Sequence, residues 1–450
     1  MARRRSQHHQ SLQAPPDAAP APREPGLAPV AATELAPRTA LGLLLALLAV
    51  SAALRLLWLD QPLGALIFDE RFYVTAARRI LGLPWLEGDR WAYHPAGIDP
   101  NLEHPPGGKL LLAASIRLLG DTAWGWRLPA VLFGTGAIAL VFGIARRAQA
   151  TRRVALVAAF AFAFDSLAFV HGRIANLDVF LVAFQLLGLF AFLGGRPLLA
   201  GLAIGAAGLC KLNGLAGLGV LALLEGLRVW RERAERAPRG GGPGAASTSG
   251  GGDSRGAAIL RRLLPLASSA AAALATFLAG LWLLDRNFGI YRNPLEHLWY
   301  MTTHLSATYS FLTQVGNTLV SKPWQWLLGE GAIDYLVAGD VAFRGAFNPA
   351  VLFAAVPAAA WAVRAALRRR DDLSFLVLAI WGATFLPLCL ATFHSNRLSY
   401  VYYFLPTLPA VALGAADLSE QPLVPRALAW AWLLAILFGF AAGFPFRGLP

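Results

Sequence analysis

The chain has 450 residues, 56% hydrophobic and only 14% charged, with a net charge of +13 and a mean hydropathy of +0.52. A soluble domain carries roughly 25% charged residues, so this composition excludes an ordinary soluble protein and requires much of the surface to face lipid. A charge of +13 would suggest nucleic acid in a soluble chain, but here the arginines cluster in short loops between apolar runs, which points to membrane orientation and not to a nucleic-acid partner. Apolar runs of about 20 residues recur along the whole length, the pattern of an all-α polytopic membrane protein with about eleven transmembrane helices.

Residues 1–38 are rich in Pro, Ala, Arg and Gln without apolar periodicity and read as a disordered cytoplasmic tail. The first apolar run, about 39–59, is expected to be a retained span and not a cleaved signal. A long polar segment, 60–125, follows, with short helices expected over 71–82 and 108–119. Span 2 covers about 127–145 and ends at Arg146 and Arg147, and Arg152 and Arg153 open span 3 at about 154–170. This four-arginine loop is expected to be cytoplasmic, which places 60–125 on the opposite face.

Span 4 covers about 174–193. Spans 5 and 6, about 198–209 and 212–227, are short or broken around Lys211, as tolerated where a segment packs in protein or lines a wet cavity. Residues 228–261, rich in Arg, Gly and Ser, read as a flexible cytoplasmic linker between an N-terminal bundle (39–227) and a C-terminal bundle (262–450). Span 7 is about 262–284. Residues 285–345 form a second extracytoplasmic segment dense in Trp, Tyr and His, side chains that favour the headgroup level. Spans 8 to 11 are expected at about 347–366, 373–392, 399–416 and 427–445. The two cysteines, Cys210 and Cys389, read as buried apolar groups.

Chemistry concentrates on one face. Asp69 and Glu70 follow Leu66-Ile67-Phe68 and precede a helix; a desolvated carboxylate there suits a general base toward a hydroxyl, and helix capping is the alternative. Glu103 and His104 are presented by Pro105-Pro106, and Lys109 stands at a helix start, where the dipole's positive end also attracts anions. Arg127, Arg173, Lys211 and Arg397 lie at extracytoplasmic span ends, suited to phosphate or to interfacial snorkelling. Asp165 and Asp178 lie within spans, where an acid faces a cavity or a partner. The only three lysines, Lys109, Lys211 and Lys322, all fall on the extracytoplasmic side, against 36 arginines. The chain has no Walker loop, dinucleotide fingerprint, zinc spacing or Gly-x-Ser-x-Gly elbow.

These segments resemble the protein O-mannosyltransferases of the shorter bacterial type. Phe68-Asp69-Glu70 is similar to that family's Asp-Glu motif, and Glu103-His104-Pro105-Pro106-Gly107-Gly108-Lys109 to its His-Pro-Pro-Leu-Gly-Lys motif, with Gly107 in place of Leu and a looser local packing expected there. His171 to Asp178, Lys211-Leu212-Asn213-Gly214, Ser321-Lys322-Pro323-Trp324 and Arg397 before Tyr402-Tyr403-Phe404-Leu405-Pro406 continue the likeness in family order. The resemblance implies a GT-C type glycosyltransferase that moves mannose, with inversion, from a polyprenyl-phosphate carrier to Ser or Thr hydroxyls of exported proteins. It implies an active site on the extracytoplasmic face of the bacterial plasma membrane. By that analogy Asp69 is the base; Glu70, Glu103 and His104 position acceptor or sugar; and Arg127, Lys211 and Arg397 hold the donor phosphate. Lys109, Arg173, Asp178 and Lys322 complete the expected substrate-binding set. No cofactor or resident metal is expected beyond the lipid-linked donor, and a divalent ion is left open. Two alternatives stand: sugar transfer from the same carrier to a lipid, as in aminoarabinose transferases, and a transporter.

Overall fold

The structure, a computed structural model, describes residues 34–62, 64–85, 89, 91–236, 251–303, 321–338, 341–395 and 399–445, with backbone only at 236, 251–260, 338 and 395. The expected tail therefore lies almost wholly outside the described residues, as does Arg397.

Helix starts follow local chemistry. Helix α1 (Pro37–Leu56) begins with proline in its first turn, where a missing N–H costs nothing. The short α2 (Glu70–Ile80) and α3 (Gly107–Leu119) occupy the expected first loop. Thr122 caps α4 (Ala123–Arg147) and Thr151 caps α5 (Arg152–Ala163), each side chain accepting a backbone N–H. Asn176 does the same for α7 (Leu177–Leu193). Helix α8 (Pro197–Cys210) stops at Lys211, a 3-10 turn covers Leu212–Leu215, and α9 (Ala216–Arg236) resumes.

Expected span 3 is broken. Asp165 interrupts it and caps α6 (Ser166–His171), accepting from the amides of Leu167 and Ala168 at 3.0 and 3.1 Å. Its other oxygen accepts from the amide of Asn348 at 3.0 Å. The intramembrane acid is thus satisfied by backbone and ties two distant parts of the chain.

The later elements are α10 (Gly251–Phe288), α11 (helical over 294–303), α12 (Pro323–Trp326), α13 (Pro349–Arg368), α14 (Asp372–Ile380) and α15 (Leu386–Ser395). A π-helical turn, Trp381–Phe385, joins the last two. A 3-10 turn, Val401–Phe404, precedes α16 (Leu408–Ser419), and α17 (Arg426–Gly443) closes the described chain. Among the described residues, seven helices are long and apolar enough to cross a membrane, by length and composition; α7, α8 and α16 are shorter apolar helices. The molecule is an integral membrane protein.

Two expectations need correcting. The linker expected over 228–261 is helical at both ends, where α9 runs to Arg236 and α10 starts at Gly251, and its middle, 237–250, lies outside the described residues. Acidic residues among the arginines explain this, because Glu225 and Asp372 take Arg228, Asp372 takes Arg231, and Glu232 takes Arg262. Nor do the two expected bundles separate: the described residues from Glu34 onward form one compact unit, in which α8 packs on both α7 and α10, and α16 packs on both α5 and α13.

The one β-sheet among the described residues is an antiparallel hairpin, β1 (Ile333–Ala338) with β2 (Val341–Gly345). Asp334 pairs with Arg344 and Leu336 with Phe343, so Tyr335 is the extra residue of a β-bulge.

Candidate active site

Asp69 sits at the N-terminus of α2 but makes no side-chain cap. Capping, the alternative left open by the sequence, does not occur. Among the described residues its carboxylate has no hydrogen-bond or ion-pair partner, whereas Glu70, Asp99, Asp165, Asp178 and Asp285 are all paired. Burial pushes its carboxyl up to about 7; Lys211 opposes this and Asp178 reinforces it, while Arg71 more weakly opposes and Glu103 more weakly reinforces it. A half-buried carboxylate poised near neutrality and free of partners is equipped to take a proton.

The backbone that presents it is strained. Phe68, immediately before, has φ of 51°, in the left-handed region, where a bulky side chain costs about 1–3 kcal/mol. Its ring stacks on Tyr335 at 4.1 Å between centroids and meets Tyr402 edge-on at 5.8 Å.

Glu70 has a different fate from its neighbour. Its carboxylate is fully buried and gripped by Arg127 through two bonds of 2.9 and 2.8 Å. It also accepts from the amides of Ile67 at 2.7 Å and Ala175 at 2.9 Å. Arg127 spends its remaining donors on the carbonyls of Leu59, Gln61 and Ala65, each at 2.9 Å. The expected roles of Glu70 at the substrate and of Arg127 at the donor phosphate do not fit this geometry, since neither group has a free hydrogen-bonding atom. Together they clasp the 59–70 loop to α4 and to the start of α7. Arg173 is likewise buried, donating to the carbonyls of Leu57 at 2.8 Å and Trp58 at 3.3 Å, where it stabilises the C-terminal end of α1.

Lys109 also turns inward. It pairs with Asp99 at 2.5 Å, donates to the His104 carbonyl at 2.8 Å and bonds Asn101. It therefore staples the 99–104 loop instead of offering a free cation to an anion. His297 fixes the same loop from the other side, with Nδ1 at 2.9 Å from both Asp285 oxygens and Nε2 at 2.9 Å from the Leu102 carbonyl. Glu103 and His104 project from this stapled loop. Burial, with Lys211 and Lys109 adding to it, holds the His104 imidazole well below its usual range and therefore neutral. The packing at Gly107 is tight and not loose: a Cβ there would lie 2.6 Å from the Leu209 carbonyl oxygen, so glycine lets α3 reach the end of α8.

Asp178, at the start of α7, is buried and chelates Lys211 at 3.0 and 2.9 Å. The Lys211 ammonium lies 5.1 Å from the Tyr402 ring centre and 5.2 Å from that of Tyr403. Its charge is felt at Asp69 and His104, which makes it the cation of this cluster among the described residues. Lys322 stands apart: it is exposed, over Trp324 at 5.6 Å, on a short helix packed against the turn that bears Tyr402 and Tyr403.

The structure thus brings together Asp69, Glu103, His104, Asp178 and Lys211. It assigns Glu70, Lys109, Arg127 and Arg173 to the frame around them. Sequence reasoning missed the aromatic wall of Tyr73, Tyr335 and Tyr402. Tyr73 lies 5.9 Å from His104, and Tyr335 is bonded to His171 Nε2 at 2.8 Å. Burial and the Asp69 charge keep the phenols of Tyr73 and Tyr335 protonated. The β-prone run Ile333-Asp334-Tyr335-Leu336-Val337, followed by Ala-Gly-Asp, is the sequence signal for the hairpin.

Among the described residues, broken apolar helices surround a cluster of acids with Lys211 as its cation, and the chain is similar in sequence and fold to mannosyltransferases. A family model described as dolichyl-phosphate-mannose-protein mannosyltransferase matches residues 103–232. The chain is 28% identical over 438 residues to the polyprenol-phosphate-mannose–protein mannosyltransferase of Mycolicibacterium smegmatis, covering 83% of this chain and 81% of that one. The enzyme of the same description from Corynebacterium glutamicum is 34% identical over 128 residues, 27% of this chain and 23% of that one. Among solved structures, the fold resembles the Saccharomyces cerevisiae protein O-mannosyltransferase Pmt1–Pmt2 complex bound to the sugar donor, with a TM-score of 0.67, 12% identity and 90% of each chain covered. It also resembles ArnT of Cupriavidus metallidurans bound to undecaprenyl phosphate, with a TM-score of 0.58, 20% identity, and 89% and 64% of the two chains covered.

Proposed function

We propose that the protein transfers mannose, with inversion, from a polyprenyl-phosphate carrier to Ser or Thr hydroxyls of exported proteins. The site works at the extracytoplasmic face of a bacterial plasma membrane. The observation that carries this reading is the unpartnered Asp69 carboxylate beside Lys211. Asp69 takes the hydroxyl proton as the acceptor oxygen bonds to the anomeric carbon. The bond from that carbon to the phosphate oxygen breaks, and the phosphate leaves with the electron pair. Lys211, on the extended residue between α8 and the 3-10 turn, stabilises the charge that develops there. Glu103 and the neutral His104 line the sugar and acceptor side. Lys322 and Arg397 are assigned to the phosphate as further cations. No metal step is needed in this scheme.

The test supplies membranes containing the protein with radiolabelled polyprenyl-phosphate mannose and a Ser/Thr-rich acceptor peptide. Label in the peptide is the expected result. Label in lipid alone would replace this reading with lipid glycosylation, and no label in either would sink it.

Lys211→Gln is expected to raise the donor KM by about 10- to 100-fold, the worth of a lost charge-assisted hydrogen bond. A donor titration in the same assay measures this, and an unchanged donor KM would remove Lys211 from the phosphate site.

A further inference from the structure

We infer that Tyr335 is a positioning residue for transfer: its ring, aimed inward by the β-bulge, holds Phe68 in its left-handed conformation and so fixes the direction of the Asp69 carboxylate. The inference rests on the reading of Asp69 as the base.

Four observations converge. Tyr335 is the residue that the hairpin register leaves unpaired between Asp334 and Leu336, and bulges re-aim a side chain in this way. Its ring lies nearly parallel to that of Phe68, 17° apart with centroids at 4.1 Å. Its hydroxyl is anchored at 2.8 Å to His171 Nε2, across 164 positions of sequence. Room for the ring is provided by Gly345 on the partner strand, where a Cβ would come 2.2 Å from the Tyr335 hydroxyl oxygen. The hairpin thus clamps Phe68, the residue that turns the chain into Asp69. With Phe68 held at φ of 51°, the next residue enters α2 with its carboxylate directed away from the cap position.

A role confined to packing would lower stability and leave the chemistry of correctly folded molecules alone. A positioning role changes kcat. Tyr335→Leu is expected to lower kcat by about 10- to 100-fold, the cost of a displacement near 1 Å at the reacting groups, with the KM of donor and acceptor unchanged. Tyr335→Phe keeps the ring and is expected to retain most of kcat. Phe68→Leu, which removes the stack from the other side, is expected to reproduce the Tyr335→Leu defect. The double variant is expected to lose no more than either single one, because both break the same contact.

The acid limb of the pH–rate profile supplies a separate readout. Opening the wall admits water to Asp69, so the limb in Tyr335→Leu moves to lower pH. The charged groups that act on Asp69 (Lys211, Asp178, Arg71 and Glu103) remain in place.

All variants are assayed as full-length protein in membranes, with Asp69→Asn alongside. Wild-type kcat in both Tyr335→Leu and Phe68→Leu, or losses that multiply in the double variant, would overturn the inference. A Tyr335→Phe defect as deep as that of Tyr335→Leu would overturn it too, by moving the effect to the His171 bond. Activity in Asp69→Asn would instead strike the base reading itself.

Discussion

Asp69→Asn is expected to lower the rate of transfer by about 10²- to 10⁴-fold, the usual contribution of a general base. Donor binding should survive, because the side chain makes no contact that holds the frame. The pH dependence carries the same assignment. Burial pushes the Asp69 carboxyl up to about 7, and only the ionised form accepts a proton, so wild-type activity rises with pH until about 7 and then levels. An acid limb near the ordinary carboxylate range would contradict the assignment.

Stability should run the other way. Between the ordinary carboxylate value of about 3.9 and about 7 the folded protein holds a proton that the unfolded chain has released. Its contribution therefore favours folding at acid pH and is lost as pH rises through that window. Asparagine has no carboxyl to titrate. The variant is expected to melt higher than wild type at pH 8, with the difference vanishing near pH 4. Melting curves of the detergent-solubilised protein across that range test the sign.

Arg127→Met is the change expected to cost most in stability. It strands the buried Glu70 carboxylate and leaves the carbonyls of Leu59, Gln61 and Ala65 without their shared donor. Breaking one side of a buried ion pair costs about 3–5 kcal/mol. Glu70→Gln is milder, since an amide oxygen still accepts one bond. If Arg127 held donor phosphate instead, the methionine variant would keep its melting temperature and lose only donor affinity. Melting and donor titration together separate the two outcomes.

How much of this was legible in the sequence depends on the distance over which each decision is made. Helix starts at Thr122, Thr151 and Asn176 rest on caps within three residues, and the sequence carries them openly. The choice between Asp69 and Glu70 does not rest on local chemistry. Both are acids at the same helix start, and what sorts them is Arg127, 57 positions away, and the Ala175 amide, 105 positions away. The same holds for the arginines. Arg127 and Arg173 stand at span ends as a phosphate ligand would, but unpaired carbonyls of the chain after α1 claim them first. Lys211 escaped that fate because its one acid, Asp178, leaves part of the ammonium uncommitted. The linker was overextended because arginine and glycine content outweighed the acids that pair across α9 and α10. Tyr335 was out of reach, because a bulge is a property of two strands read together.

The bond between Asp165 and the Asn348 amide, with that between His171 and Tyr335, sets an order of assembly during synthesis. The Glu70–Arg127 clasp and the Asp178–Lys211 pair are complete once the ribosome has passed Lys211. Until Asn348 is made, the buried acid of α6 lacks one of its donors, and until Tyr335 and Tyr402 arrive the wall around Asp69 is missing. At translation rates of about 5–20 residues per second the nascent chain spends several seconds in this half-built state, with acid and cation in place and the enclosure absent. A chain truncated before residue 335 would therefore carry Asp69, Asp178 and Lys211 without the rings of Tyr335 and Tyr402 that pack beside them.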